Sequence, residues 1–545
     1  INFLNVEKIF EIVKGLLSFI VLTFSNVVVP SSIQYVPYDL GYQFGFLNHN
    51  GMIMWGEDWK SNNLFFDGSW AIFPPMYGAK IKEGFQNDSN NETSLDSSYV
   101  FSNIEYSQGD YGLDQFSIDI DYIEKNRSLE LFGFKRSYVN NNNQYYLNTP
   151  QPQQQSYTLS LKSFDNDVNT GLTIGHFNTL SGFPDLEQKG LFDNRITSLN
   201  YFWEKLFGYF SFELSMDQFL QRYKSIHSLS FYQSARFLNR SVYKAELTSS
   251  INQIPILLGF STNDRGTTLD SRENIGWVTY YSNLEWRNLN LFTSIIKDEN
   301  QFFYDYSLIF ETNFKLLNIS FSNTVRSIPL HPHYVHNTEF SQNTNFYKKY
   351  FNHGSIKWND LNNKLSLIVS SVKDKQKFDM QSLSMQNKYS NINFTYTRKI
   401  NSSLKASIHY NVMDTKNYYS GGIGNEIGLR FQSDFLLFNN FMGVELDSEI
   451  KYFFNRVNYS MINPIEMVPM IIRENDHGSL LPIHLINSVL RAKVSTVIFE
   501  FSWANLSEII LSSIQTDKNN FFSFHPTIPS MGRQINFSIN WKFQD

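Results

Sequence analysis

From about residue 97 to the end of the chain, apolar and polar residues alternate in run after run. "QFSIDIDY" places Phe116, Ile118, Ile120 and Tyr122 on one face and Ser117, Asp119 and Asp121 on the other. "SYTLSLKS" sets Tyr157, Leu159 and Leu161 against Thr158, Ser160 and Lys162. "VYKAELTS" sets Tyr243, Ala245 and Leu247 against Lys244, Glu246 and Thr248. The same rhythm passes through Leu317, Ile319 and Phe321, through Ile392, Phe394 and Tyr396, and through Leu404, Ala406, Ile408, Tyr410 and Val412. It returns in Val497, Phe499, Phe501 and Trp503, and ends in the chain's cleanest strand, Ile535, Phe537, Ile539, Trp541 and Phe543. A period of two is the mark of a β-strand with two unlike faces.

No helical period of comparable strength separates these segments. Strands joined directly predict an antiparallel meander, because parallel neighbours need long crossovers. The segments run roughly ten residues, the length that crosses a bilayer, against five or six in soluble sheets. Asp165 to Gly171 reads as a tight turn. Val139 to Gln155, Thr262 to Asn274, the surroundings of "HPHYVHN" and Arg456 to Pro482 read as long loops. Short turns on one rim and long loops on the other describe an outer-membrane barrel.

The polar face decides which way such a sheet points. It carries Lys162, Lys244, Glu246, Lys405, His409 and Glu500 in mid-strand. Charges there are costly in a dry core and natural over a wet lumen. These six are therefore the candidate lumen-facing residues. Ile535, Phe537, Ile539, Trp541 and Phe543 face lipid in the same scheme, with Asn536, Ser538, Asn540 and Lys542 turned inward. The fold class expected is all-β, a large antiparallel transmembrane β-barrel of roughly 20–22 strands.

Composition agrees. Aromatic residues make up 17% of the 545 and charged residues only 18%. Mean hydropathy is nonetheless negative, at -0.32, unlike that of a helical membrane protein. The absence of cysteine removes disulfides, thiolate metal sites and thiol catalysis. A net charge of -6 gives no reason to expect nucleic acid. The run Gly15 to Val29 follows Lys8 and Lys14, precedes small residues at Ser31 and Ser32, and is short for a spanning helix. Residues 1–32 therefore read as an export signal. Residues 33–96 are irregular, broken by Pro37, Pro74 and Pro75, and read as a plug remnant or periplasmic part. Residues 97–545 form the barrel.

Other motifs carry little. His331, His333 and His336 crowd one loop around Pro332, without metal-ligand spacing. Asp165, Asp167 and Asn169 imitate the start of a calcium loop, but Thr170 stands where that loop needs Gly. "SGGIGNE" lacks both the dinucleotide and the phosphate-loop patterns. No nucleophile, base and acid are arranged as in a hydrolase. The expectation is a non-enzyme without cofactor or metal.

The two ends of the barrel region carry a resemblance. "VSTVIFEFSWANLSE", then "HPTIPSMGRQINFSINWKF", is similar to the C-terminal end of TonB-dependent receptors and related putative porins. There a penultimate strand ends in an Asn-Leu turn, and a Gly-Arg turn leads into a closing strand that ends in an aromatic. Asn505, Leu506, Gly532, Arg533, Trp541 and Phe543 match, although Gln544 and Asp545 follow the last aromatic. "SNIEYSQGDYGLDQFSIDIDY" resembles the first hairpin of such barrels, with Gly109, Asp110 and Gly112 as its turn. The family's plug and its TonB-contacting box are not recognisable in residues 33–96.

The resemblance implies solute transport across the cell outer membrane, TonB-receptor-like or porin-like. The partners it implies are outer-membrane lipid, the barrel-assembly machinery, a TonB-type energy-coupling protein and an unknown solute. Two alternatives stand beside it: a non-transporting surface adhesin or receptor that uses long loops, and a soluble secreted β-rich binding protein.

Overall fold

Backbone pairing turns the alternation into a closed wall. In a computed structural model, 22 strands hydrogen-bond in one closed barrel, each antiparallel to its neighbours. The structure describes residues 98–138, 153–183, 190–226, 234–251, 254–268, 272–299, 301–329, 345–374, 387–413, 425–457, 479–507 and 533–544, apart from single positions in turns. It also describes short pairs at Phe46–Leu47 with Ile53–Met54 and at Ser460–Ile462 with Pro469–Ile471. The expected export signal, nearly all of residues 33–96, and His331, His333 and His336 lie outside the described residues.

Strand order follows chain order around the wall. The last strand, Gln534–Gln544, pairs with Val497–Ala504 on one side and with the first strand, Tyr99–Gly109, on the other. Ile539 stands opposite both Phe499 and Tyr106. A side chain pins this seam: the Ile535 backbone N–H donates to Asp110 Oδ2 at 3.0 Å, from the 3-10 turn Asp110–Gly112. Closure leaves no open sheet edge, which a hydrocarbon layer does not tolerate.

Connections on one rim are two to four residues long, at 125–126, 166–167, 208–209, 252–253, 287–288, 315–316, 360–362, 400–403, 438–441 and 495–496. The opposite rim holds every long connection, up to 455–482 and 505–533. Short hairpin loops need positive φ, and it appears at Gly208, Arg287, Lys315 and Ser495. "VSTVIFEFSW" is therefore not one strand. Ser495 and Thr496 make a turn, and the strand begins at Val497.

The stretch Thr262–Asn274 is a correction. Thr262–Thr268 and Arg272–Asn274 are strand, not loop: Ile254–Thr268 and Arg272–Trp286 pair to their ends, with Thr268 opposite Arg272. Several strands also exceed ten residues, with Val168–Phe183 at 16, Gly190–Phe207 at 18 and Phe210–Ile226 at 17. One cause explains both. Outward positions along the last of these are Phe210, Phe212, Leu214, Met216, Gln218 and Leu220, and then Arg222. Phe210 to Leu220 spans about 33 Å along the strand, or roughly 25 Å along the membrane normal at the usual tilt, which is the height of the apolar band. Beyond it the ribbon continues in water, and neither face needs to be apolar. There Arg195 and Arg222 both donate to Asp193, at 3.0 and 2.7 Å.

Burial separates the two faces of the wall. A closed wall crowds side chains on its concave side and spreads them on its convex side. The spread set is apolar: Phe116, Tyr157, Leu161, Tyr243, Leu258, Tyr280 and Trp541 are all exposed. The crowded set is small and polar, including Thr158, Ser160, Thr173, Ser261, Ser320 and Ser355. Hydroxyl pairs cross from strand to strand on it, Ser160 with Thr173 at 3.0 Å and Ser320 with Ser355 at 2.7 Å. Aromatic side chains gather toward the short-turn rim: Phe207 stacks on Phe210 at 5.0 Å, and Trp286, Phe314, Phe438 and Phe441 are exposed there. That is the position of an interfacial girdle. Among the described residues no helix is long and apolar enough to cross a membrane.

Candidate functional site

The inner face gathers its charges into three groups. In the first, Arg491 lies opposite Glu500 and donates to it at 2.6 Å. Its Nη1 reaches Glu445 at 3.2 Å. One guanidinium thus serves two carboxylates, which suits its planar set of donors.

The second group is a row of acids. Glu204, Glu213 and Glu246 stand directly opposite one another on three adjacent strands. Like charges so placed repel, and neighbours offset this. Asn169 donates to Glu204 at 2.9 Å, and the Tyr281 hydroxyl donates to Glu246 at 2.5 Å. Tyr281 reaches Glu246 by lying across Gly259, whose missing side chain leaves the space its ring fills. Lys244 approaches Asp217 at 3.7 Å, and Asp217 also accepts from Asn200.

The third group surrounds a cavity of about 650 Å³ on the inner wall, toward the short-turn rim. Its strands are Asn363–Asp374, Asn387–Lys399, Leu404–Met413, Asn425–Leu437 and Met442–Phe454. Register builds it. Lys399 faces Lys405, Lys364 faces Thr397, Ser407 faces Arg430, and Gly428 faces Lys451. Thr397 and Ser407 share a hydrogen bond of 2.9 Å on its floor. His409 Nε2 lies 2.8 Å from Glu426 Oε1. A carboxylate only accepts, so the ring carries its proton on Nε2. His409 lies over Gly428, as Tyr281 does over Gly259. Lys451 completes this half, 3.6 Å from Glu426 and 3.3 Å from Glu449, while Arg430 forms a two-pronged pair with Asp447. At the turn, the Asp360 carboxylate accepts from the Asn363 side chain and from the backbone N–H groups of Asn362 and Asn363. These bonds hold it below the ordinary carboxylate range.

Of the residues singled out in the sequence, Lys405 and His409 line this cavity. Glu246 lies in the acid row with Lys244 beside it, and Glu500 in the arginine group. Lys162 stands elsewhere on the same face, opposite Ser128 and Gly171. Ile535, Phe537, Ile539, Trp541 and Phe543 share the other face of the closing strand. There Phe537 packs on Phe501 at 5.2 Å and Trp541 on Phe543 at 4.4 Å between ring centres. Sequence reasoning missed Arg491, Lys364, Lys399, Glu426, Arg430 and Lys451. For Lys399 and Lys405 the signal was present: they flank the turn "INSSL" symmetrically, so hairpin pairing sets them opposite. Three carboxylates that could hold a cation, Asp119, Asp121 and Glu130, have ligand atoms within 4.8 Å of one another.

Solved structures share this architecture. The FrpB iron transporter from Neisseria meningitidis (F3-3 variant) matches with a TM-score of 0.62 at 9% identity, over 83% of this chain and 82% of that one. The siderophore receptor PirA from Acinetobacter baumannii matches at 0.61 and 9%, over 83% and 81%. A mutant of the ferric enterobactin receptor PfeA from Pseudomonas aeruginosa matches at 0.59 and 10%, over 83% and 81%. These neighbours are TonB-dependent receptors. No family profile and no curated protein sequence matches the chain.

Proposed function

We propose that this chain is an outer-membrane barrel that carries solutes across the outer membrane, in the manner of a TonB-dependent receptor or a related porin. The observation that carries the reading is the closed wall of 22 strands, apolar outside and lined inside by charge networks around a polar cavity. A barrel whose only task is to display loops gains nothing from such a lining, and side chains packed across its lumen would be more stable. The fold shared with receptors for iron and siderophores supports the same reading. Its partners are then lipid at the aromatic girdle, the barrel-assembly machinery during insertion, and a TonB-type protein for energy.

The test is reconstitution of the purified full chain into liposomes loaded with a self-quenching dye. Dye release, or proton-motive-force-dependent solute uptake in cells that carry the gene and not in its deletion, is the expected result. A barrel that folds, shows neither, and still binds a surface partner through its loops would overturn the reading.

A further inference from the structure

The inner-wall cavity has two unequal halves. In the deeper half both cations are matched, Lys451 with Glu426 and Glu449, and Arg430 with Asp447, and the His409 ring bonds Glu426 beside them. The half nearer the short turns is different. Lys399 and Lys405 stand directly opposite each other, and Lys364 lies one strand away. Among the described residues no carboxylate lies within ion-pair distance of Lys364 or Lys399. The one carboxylate near Lys405 is Asp434, 3.8 Å away, with more than half of its side chain exposed. Asp360 lines the same space, but its oxygens are engaged by the turn.

Two lysines placed face to face repel each other, and that cost is avoided when an anion sits between them. The floor beneath them is Thr397 and Ser407, with Thr395 beside. Short hydroxyl side chains leave room and offer donors. We propose that this end of the cavity is a binding site for a small polyanion, held by the ammonium groups of Lys364, Lys399 and Lys405 over that hydroxyl floor. The whole cavity, about 650 Å³ across both halves, leaves room at this end for a solute of ordinary metabolite size. Lysine is a mobile point charge without the planar fork of arginine, so it accepts phosphate and carboxylate oxygens alike. The common chemistry is several anionic oxygens on one small molecule. This deepens the reading of the lumen as a solute path, and binding itself does not depend on that reading.

The test titrates the purified full chain in detergent with two probes, pyrophosphate and citrate, by calorimetry at low ionic strength. The wild type is expected to bind at least one, and the comparison separates phosphate from carboxylate preference. The triple variant K364Q/K399Q/K405Q should bind about tenfold or more weakly. K162Q, which removes a lysine elsewhere on the inner face, should match the wild type. Because the triple change can disturb assembly, K399Q is measured beside it: it relieves the lysine pair, should keep the heat-modifiable folded form, and should still lose affinity. No heat from either probe, or K399Q and the triple variant binding like the wild type, overturns the site. Anion binding with neither solute passage through liposomes nor proton-motive-force-dependent uptake in cells would overturn the transport reading and leave the site standing. Passage without anion binding would do the reverse.

Discussion

At the scale of single residues, the inner wall is organised by what glycine omits. A Cβ at Gly428 would overlap the His409 ring, and one at Gly259 would overlap Tyr281. Tyr281 crosses its glycine to reach Glu246 on the strand beyond, and His409 lies over its glycine to reach Glu426, two residues along the glycine's own strand. G428A and G259A should therefore each cost about 1–3 kcal/mol, the usual penalty of overpacking. The measurement is the temperature at which the folded, fast-migrating form is lost on a gel. G276A is the control, since its added carbon meets nothing nearer than 3.7 Å. Equal losses at all three positions would refute the argument. Arg491 supports a second expectation. R491Q leaves Glu445 and Glu500 without their shared cation, so E500Q should cost less in the R491Q background than in the wild type. The coupling should be roughly 0.5–1 kcal/mol, small because both partners are partly wetted.

At the scale of elements, the closing strand sets two faces against two media within one short sequence. Arg in place of Ile539 puts a charge toward the acyl chains, at a cost of about 2–4 kcal/mol near the midplane. Arg in place of Ser538, one residue away, enters the wet lumen beside Glu500. Outer-membrane assembly yield should fall sharply for I539R and little for S538R, and equal yields would mean that the faces have been exchanged. This strand was legible because alternation survives wherever one face meets hydrocarbon. The ribbon Thr262–Asn274 was not legible, for the converse reason. Above the lipid both faces are wet, and a strand of Thr, Asn, Asp and Gly looks like a loop until its partner is known. The cavity was half legible. Lys405 and His409 stand out as charges within an alternating run. Arg430, Lys451 and Glu426 join them only through register across strands distant in sequence, which the period of two does not encode.

At the scale of the whole molecule, the two rims assign the barrel its direction. In outer-membrane barrels the short turns face the periplasm and the long loops face outward. Leu361 lies in a three-residue connection on the short rim, and Glu299 in a tight connection on the opposite rim; both are exposed. Each therefore offers a reporter on a well-defined part of the wall. These 545 residues contain no cysteine, so a single introduced thiol is the only one among them. E299C should react with a membrane-impermeant maleimide in intact cells. L361C should react only after the outer membrane is permeabilised if its rim, with the lysine end of the cavity beside it, faces the periplasm as the short turns of such barrels do. On the transport reading proposed above, that orientation would put the proposed polyanion site at the exit of an inward path, where a solute would be held last before release. Labelling of L361C in intact cells, with E299C silent, would reverse the barrel and turn the same site into an entrance.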